Sequence, residues 1–389
     1  MTMTERPTSP ARRGVLRQAG LLGLALAGQR AGAAQASLPV KPVTLARGLQ
    51  RPWGLAFLPG FERDGRMLVT EKPGRLRIVD TRGKVGAPLA GVPKVDAQGQ
   101  GGLLDVALDP KFADTRLVYL SYAEPGTADE RGRNGTAVAR GRLDGERLAD
   151  LQVIFRQRPK IASGAHFGSR LAFARNGRLF VTLGERFTQR QEAQNLASLL
   201  GKVVRIEPDG RVPDDNPFVR TPGAAPETWS LGHRNVQGAA LHPATGELWT
   251  GEHGPQGGDE INVDEAGKNY GWPVITYGRE YVTGTKIGEG TAKAGMEQPV
   301  TYWVPSIAPS GMDFVAGERY PGWQGNLCVG ALRAQCLVRL ALDGRRVTRE
   351  ERLLTTFFER IRDVRQGPDG WLYLLTDNED GRVVRLELK

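Results

Sequence analysis

One unit recurs along this chain, and its repetition limits the folds open to it. The unit is an apolar strand, a turn bearing proline or glycine, and a second apolar strand, often followed by a third. Six copies begin near Gly54 (GLAFLPGFERDGRMLVTEKPGRLRIVD), Val106, Leu171, Ala239, Met312 and Val364 (VRQGPDGWLYLLTDNEDGRVVRLELK). They are spaced roughly 50 to 75 residues apart, a period with several strands per unit that indicates a β-propeller. Each blade of such a ring buries its faces only against its neighbours. The expected architecture is therefore all-β: a six-bladed β-propeller with four-stranded antiparallel blades. The 51 glycines and 25 prolines supply its turns. A strand around Val43 to Leu49 is expected to pair with the C-terminal strands and close the ring. Longer inserts follow Tyr122, Glu185, Gly210 and Trp272, and the polar motifs are expected to lie with them on one loop-rich face.

The propeller is expected to occupy 37–389 as one domain, with an export leader at 1–36. Arg12-Arg13 and a short apolar run from Gly20 to Gly28 precede Ala34-Gln35-Ala36, a small-x-small cleavage pattern of the twin-arginine type. The apolar run is too short to span a bilayer, and nothing later predicts a membrane span, so a periplasmic protein is expected. Removing the leader lowers the net charge from +10 to +6. The remaining positive charge forms no basic run, which argues against a nucleic-acid partner. A small anionic ligand held by a local arginine cluster fits better. Cys328 and Cys336 flank a predicted hairpin turn, and either a disulfide or two buried thiols is compatible with that placement.

Three of the four histidines (His233, His242, His253) crowd into Gly232 to Pro273. His166 stands outside that stretch, in SGAHFGSRLAF. Glu185 ends the following strand pair, LFVTLGE, and two antiparallel strands of that length bring the two residues near each other. A carboxylate beside an imidazole sets its tautomer and raises its basicity; the alternative is a loop histidine bonded to backbone. Arg234-Asn235 joins a fixed cation to an amide suited to a carboxylate, or else caps a loop carbonyl. Arg360 and Arg362, two apart on a strand, share a face and repel unless an anion lies between them. Glu260 and the carbonyls of the Gly254-Pro255 turn are hard oxygen donors of the kind that suits Ca²⁺, although Asp259-Glu260 also reads as turn and cap.

Taken in order, GQGGLLDVALDP, HFGSRLAF, GHRNVQG, EHGPQGGDEIN, YGWP and RIRDV resemble the soluble pyrroloquinoline quinone (PQQ)-dependent sugar dehydrogenases, in particular the aldose sugar dehydrogenase branch. The resemblance covers essentially the whole chain after the leader. It implies an aldose substrate, PQQ and Ca²⁺ as cofactors, a monomer, and an unidentified periplasmic electron acceptor. It implies His166 as general base, supported by Glu185, with Arg234 at the reactive carbonyls of the quinone. It further implies cofactor contacts from Gln100, Asn235, Tyr281, Arg333, Arg360 and Arg362. Gly254 and Pro255 would hold the cofactor's Ca²⁺, and Glu260 and Tyr270 a further structural one. Two positions depart from the pattern: Arg333 stands where a lysine is common, and Glu185 where the dimeric glucose-specific branch has aspartate. Two other readings compete: a Ca²⁺-dependent propeller lactonase, which would need carboxylates converging on the channel, and a non-catalytic propeller that binds a partner through its loops.

Overall fold

The computed structural model describes residues 38–389. The leader expected at 1–36 lies outside the described residues. Six antiparallel sheets follow one another along the chain. Their first strands are Pro52–Phe57, Leu103–Leu108, Leu171–Phe173, Val236–Leu241, Pro309–Phe314 and Ile361–Gln366. Each first strand packs against those of adjacent sheets around a common centre, which is the expected six-bladed propeller. Val40–Leu49 pairs with Gly381–Leu388, Thr44 opposite Val384, so an N-terminal strand completes the last blade and closes the ring.

The core is a set of seams between blades. Leu68 and Leu76 of the first blade pack with Val106 and Leu120 of the second. Trp249 and Ile261 of the fourth pack with Val329 and Val338 of the fifth, and Tyr373 of the sixth with Leu55 and Val69 of the first. Fully burying one such side chain contributes about 1.5–3 kcal/mol, and no seam exists without both neighbours.

Two expectations change, and one open alternative is resolved. The first blade has only three regular strands, Pro52–Phe57, Met67–Glu71 and Arg75–Val79. An irregular segment takes the fourth place, with Gly86 N donating to Ile78 O at 2.8 Å and Leu89 N to Leu76 O at 2.8 Å. The insert after Gly210 leaves the loop-rich face. It joins the third strand of its blade (Lys202–Ile206) to the fourth (Thr228–Leu231), so it exits at the opposite end of the ring. The cysteines are both free and buried. Cys336 pairs across the hairpin with Ala331, three residues from Cys328. Odd spacing in a strand reverses the face, so Cys328 packs in the seam with the sixth blade and Cys336 in the seam with the fourth.

Alternation of strand direction also says where a site must be. The start of each first strand and the end of each second strand lie at the same end of the ring. Residues just before the one and just after the other therefore converge on one mouth.

Candidate functional site

A cavity of ≈ 210 Å³ opens at that mouth. Trp53, Gln100, Phe167, Gly168, Gln237, Arg360 and Arg362 reach it from the starts of first strands; Lys72, His253, Leu332 and Asp377 reach it from the ends of second strands. Its floor is a buried ion network. Arg170 Nη1 lies 3.3 Å from Asp105 Oδ1 and 2.9 Å from Asp363 Oδ1, while Arg365 bridges the same two aspartates. Arg170 also donates to the carbonyls of Gln237 and Arg362, so one guanidinium holds two cavity residues in place. Gly54 is required beside it, since a Cβ there would stand 2.5 Å from Asp105 Oδ1.

His166 immediately precedes Phe167 and Gly168 of the cavity wall. Its Nδ1 lies 2.7 Å from Glu185 Oε2, and both side chains are buried. Its backbone N donates to Gln100 Oε1 at 2.8 Å, tying the GQGG loop to the HFGS loop. Among the described residues no hydrogen bond reaches His166 Nε2. Burial, with the positive charge of Arg234, holds the His166 pKa below its ordinary value against the pull of Glu185. The imidazole is therefore neutral at pH 7, Nδ1–H directed to the carboxylate and Nε2 left as acceptor. The backbone here is strained: His166, Arg186 and Phe187 have φ of 52°, 63° and 67°. Left-handed conformations of this kind persist in bulky residues only where surroundings impose them. The imposing group is Arg186, which is fully buried and donates to Ala165 O at 2.8 Å, to Asn134 Oδ1 at 2.6 Å and to Ser163 O.

Arg234 and Asn235 reach the same region because Gly184 bridges Asn235, and Glu185 N donates to Arg234 O at 3.0 Å. Arg234 Nη1 donates to Gly254 O at 2.7 Å and to His253 O at 3.1 Å. Among the described residues Arg234 Nε and Asn235 Nδ2 are buried without a partner, as is Arg362 Nε. Arg362 lines this cavity and Arg234 the smaller one described below, and buried donors of this kind are a cost unless something accepts from them. Arg360 and Arg362 share Asp377, whose Oδ2 lies 3.0 Å from each. Burial opposes ionisation of Asp377, but Arg362 and Arg360 outweigh it and hold its pKa at about 2. The carboxylate required between the two arginines is thus present, and it neutralises only one of them. With Arg51, which is itself paired to Glu379 outside the lining, and Lys72, the cavity wall carries four cations against one anion. An anionic group fits this lining.

Arg333 does not line the cavity. It is exposed in the hairpin turn after Leu332, and Leu332 takes the wall position instead. Tyr281 is half exposed, its ring 5.9 Å from the Arg234 guanidinium. A second, small cavity lies beside the first, lined by Glu260, Glu252, Gly254 and Tyr270. Burial and the neighbouring Glu252 push the Glu260 carboxyl well above the usual range. Two carboxyl groups facing one small space, Glu252 buried and Glu260 half-buried, suit a hard cation. Glu252 is already engaged, by His233 Nδ1 at 2.9 Å and Arg234 N at 2.7 Å, which leaves Glu260 as the available carboxylate. The Tyr270 hydroxyl is spent on Val263 O and Glu265 N, so only its carbonyl could serve a metal. Among the described residues no group of three or more His, Cys, Asp or Glu side chains is arranged for a metal, so the other donors must be carbonyls or water. Asp259 is a turn anchor, accepting from Ser306 Oγ and from the amides of Gly254, Ile307 and Ala308.

Lys72, Arg51, Trp53, Gln237 and Asp377 were not singled out from the sequence. Aligning the six repeats would have found most of them, because each occupies a position equivalent to a residue that was: Asp377 and Lys72 follow second strands as His253 does.

A family model described as Glucose / Sorbosone dehydrogenase matches residues 49–385. The aldose sugar dehydrogenase YliI of Escherichia coli (strain K12) is 49% identical over 342 residues, covering 87% of this chain and 90% of that protein. The quinoprotein glucose dehydrogenase B of Acinetobacter calcoaceticus is 26% identical over 423 residues, 86% of each chain. The PQQ-bound form of the aldose sugar dehydrogenase from Streptomyces coelicolor superposes with a TM-score of 0.75 at 31% identity, covering 92% of this chain and 100% of that one.

Proposed function

The chain belongs to the glucose/sorbosone dehydrogenase family, and we propose that it is an exported, PQQ- and Ca²⁺-dependent dehydrogenase that oxidises the C1 hydroxyl of aldoses to lactones. The observation that carries this reading is a neutral, carboxylate-oriented His166 adjoining a cavity lined by more cations than anions. When bound, PQQ supplies the two-electron acceptor and Ca²⁺ a Lewis acid.

His166 Nε2 takes the proton of the anomeric hydroxyl, a role worth about 10²–10⁴ in rate. Glu185 keeps the proton on Nδ1 and stabilises the imidazolium that forms. Arg234, held by two carbonyls on Nη1, offers its remaining donors where negative charge develops. Asn235, through its unpartnered Nδ2, and Gln100 would contact the ligand. Arg360 and Arg362 grip carboxylates. Tyr281 and Arg333 act from the rim. The carbonyls of Gly254, Pro255 and Tyr270, with Glu260, would hold Ca²⁺; Gly254 O has one lone pair left beyond its bond to Arg234.

The leader at 1–36 delivers the chain to the periplasm, where a monomer passes electrons to a separate acceptor. Among the described residues no helix is long and apolar enough to cross a membrane. The lactonase reading is disfavoured because the cavity wall holds four cations and a single carboxylate.

The test is direct. Residues 37–389 are expressed, reconstituted with PQQ and Ca²⁺, and assayed by dye reduction with a panel of aldoses. Turnover that requires both cofactors is expected. No PQQ binding and no turnover with any sugar would overturn the reading.

A further inference from the structure

The lysines that the fold buries solve the same problem in different ways. Lys202 is fully buried, and its ammonium donates to the carbonyls of Glu192, Ala193 and Leu200 at 2.8, 3.0 and 2.8 Å. Lys160 lies between two carboxylates, Glu124 at 2.9 Å and Glu130 at 3.0 Å. Lys72 is 8% exposed, and among the described residues its Nζ has one hydrogen bond, to Gly99 O at 2.8 Å, and no ion pair. An ammonium has three donors, so two point to no protein group.

Those two donors belong to the cavity wall, which Lys72 lines together with Gln100, Trp53, Arg362 and Asp377. Its surroundings on balance do not favour its charge: burial first, then Arg362, lowers the Lys72 pKa against the opposing pull of Asp377 and Glu379. Asp377 is already shared by Arg360 and Arg362. The position is nevertheless rigid. Lys72 N donates to Arg51 O, Lys72 O accepts from Leu103 N, and Gly102 approaches Lys72 O so closely that a Cβ would collide with it. A buried cation held in place without a counter-charge is costly, and the circuit closes if its partner arrives with a ligand.

We propose that Lys72 is a binding residue for the cofactor, taking a carboxylate from the first-blade side of the cavity while Arg360 and Arg362 take another from the sixth. The Nζ bond to Gly99 O then joins this grip to the loop carrying Gln100. This rests on the PQQ reading above. It supplies the cation that Arg333, outside the cavity wall, does not place there.

The experiment uses apo protein, wild type, Lys72→Met and Lys72→Arg, titrated with PQQ by quinone absorbance in the presence of Ca²⁺, and melted with and without PQQ. Loss of a charged hydrogen bond predicts PQQ affinity roughly ten- to hundredfold weaker in Lys72→Met. Lys72→Arg should recover part of it. Removing an unpaired buried charge should leave the apo Tm equal or higher, while the Tm gain on adding PQQ shrinks. A lower apo Tm with an undiminished PQQ increment would mean that Lys72 is structural and would overturn the proposal. So would wild-type affinity in Lys72→Met. If the wild-type protein itself binds no PQQ, the functional reading fails and this inference with it.

Discussion

Two histidine–carboxylate pairs sit in adjacent blades at the same sequence separation of 19 residues, and they behave oppositely. His166 Nδ1 meets Glu185 at 2.7 Å, and His233 Nδ1 meets Glu252 at 2.9 Å. The difference is at the other nitrogen. His233 Nε2 lies 2.9 Å from Ser230 Oγ and 3.4 Å from Asp264 Oδ2, whereas no hydrogen bond among the described residues reaches His166 Nε2. Burial opposes the charged form in both. Around His233, Glu252 and Asp264 outweigh it and raise the pKa; around His166, Arg234 reinforces it and the pKa falls. The same local motif thus favours the protonated imidazole in one blade and the neutral imidazole in its neighbour.

The largest expected effect separates the two by function. His166→Gln should lower kcat by about 10²–10⁴ while PQQ binding, read by absorbance, is retained; retained turnover would remove His166 from the base role. His233→Gln should act on the fold instead, since it removes the imidazole that Glu252 and Asp264 share, whose protonated form they favour. A loss of about 3–5 kcal/mol is expected, measured by denaturant unfolding, and a change under about 1 kcal/mol would show that the pair is not charged. Glu185→Gln should reduce kcat roughly ten- to hundredfold, the worth of one charged hydrogen bond at about 1.5–3 kcal/mol. Glu185→Asp should retain more activity than Glu185→Gln if the charge matters more than reach.

The smallest effect is in pH. The acid limb of kcat/KM should fall below pH 6.5, the ordinary histidine value, because the His166 pKa is lowered. Stability should move with opposite signs at the two sites. The raised pKa of His233 contributes stability that is complete below the unfolded value of 6.5 and lost as pH rises through the folded value. The lowered pKa of His166 contributes stability present above 6.5 and lost as pH falls through its folded value. Imidazole NMR titration should place the two midpoints on either side of 6.5; midpoints in the reverse order would break the comparison.

The repeat pattern made the blade number and the ring closure legible before any coordinates, because both follow from strand period and turn residues. The pairing of His166 with Glu185 was legible for the same reason: antiparallel strands return to the same end. That logic brings His233 to Glu252 equally well, so local pattern could not say which pair is open. Arg333 was expected at the ring of cations and lies outside the cavity wall, because one turn residue decides whether Leu332 or Arg333 points inward.

By itself, then, the sequence determined what is periodic: six strand units, their closure by Val40–Leu49, and which strand ends meet at one mouth. Tertiary structure alone decided what sums over the ring. Asp377 becomes the counter-ion of Arg360 and Arg362, Arg170 the floor beneath them, and Lys72 a cation with no ion pair among the described residues, because residues from several blades converge on one axis. Charges that interact there through buried, poorly screening surroundings come from blades far apart in sequence, and no local window contains them.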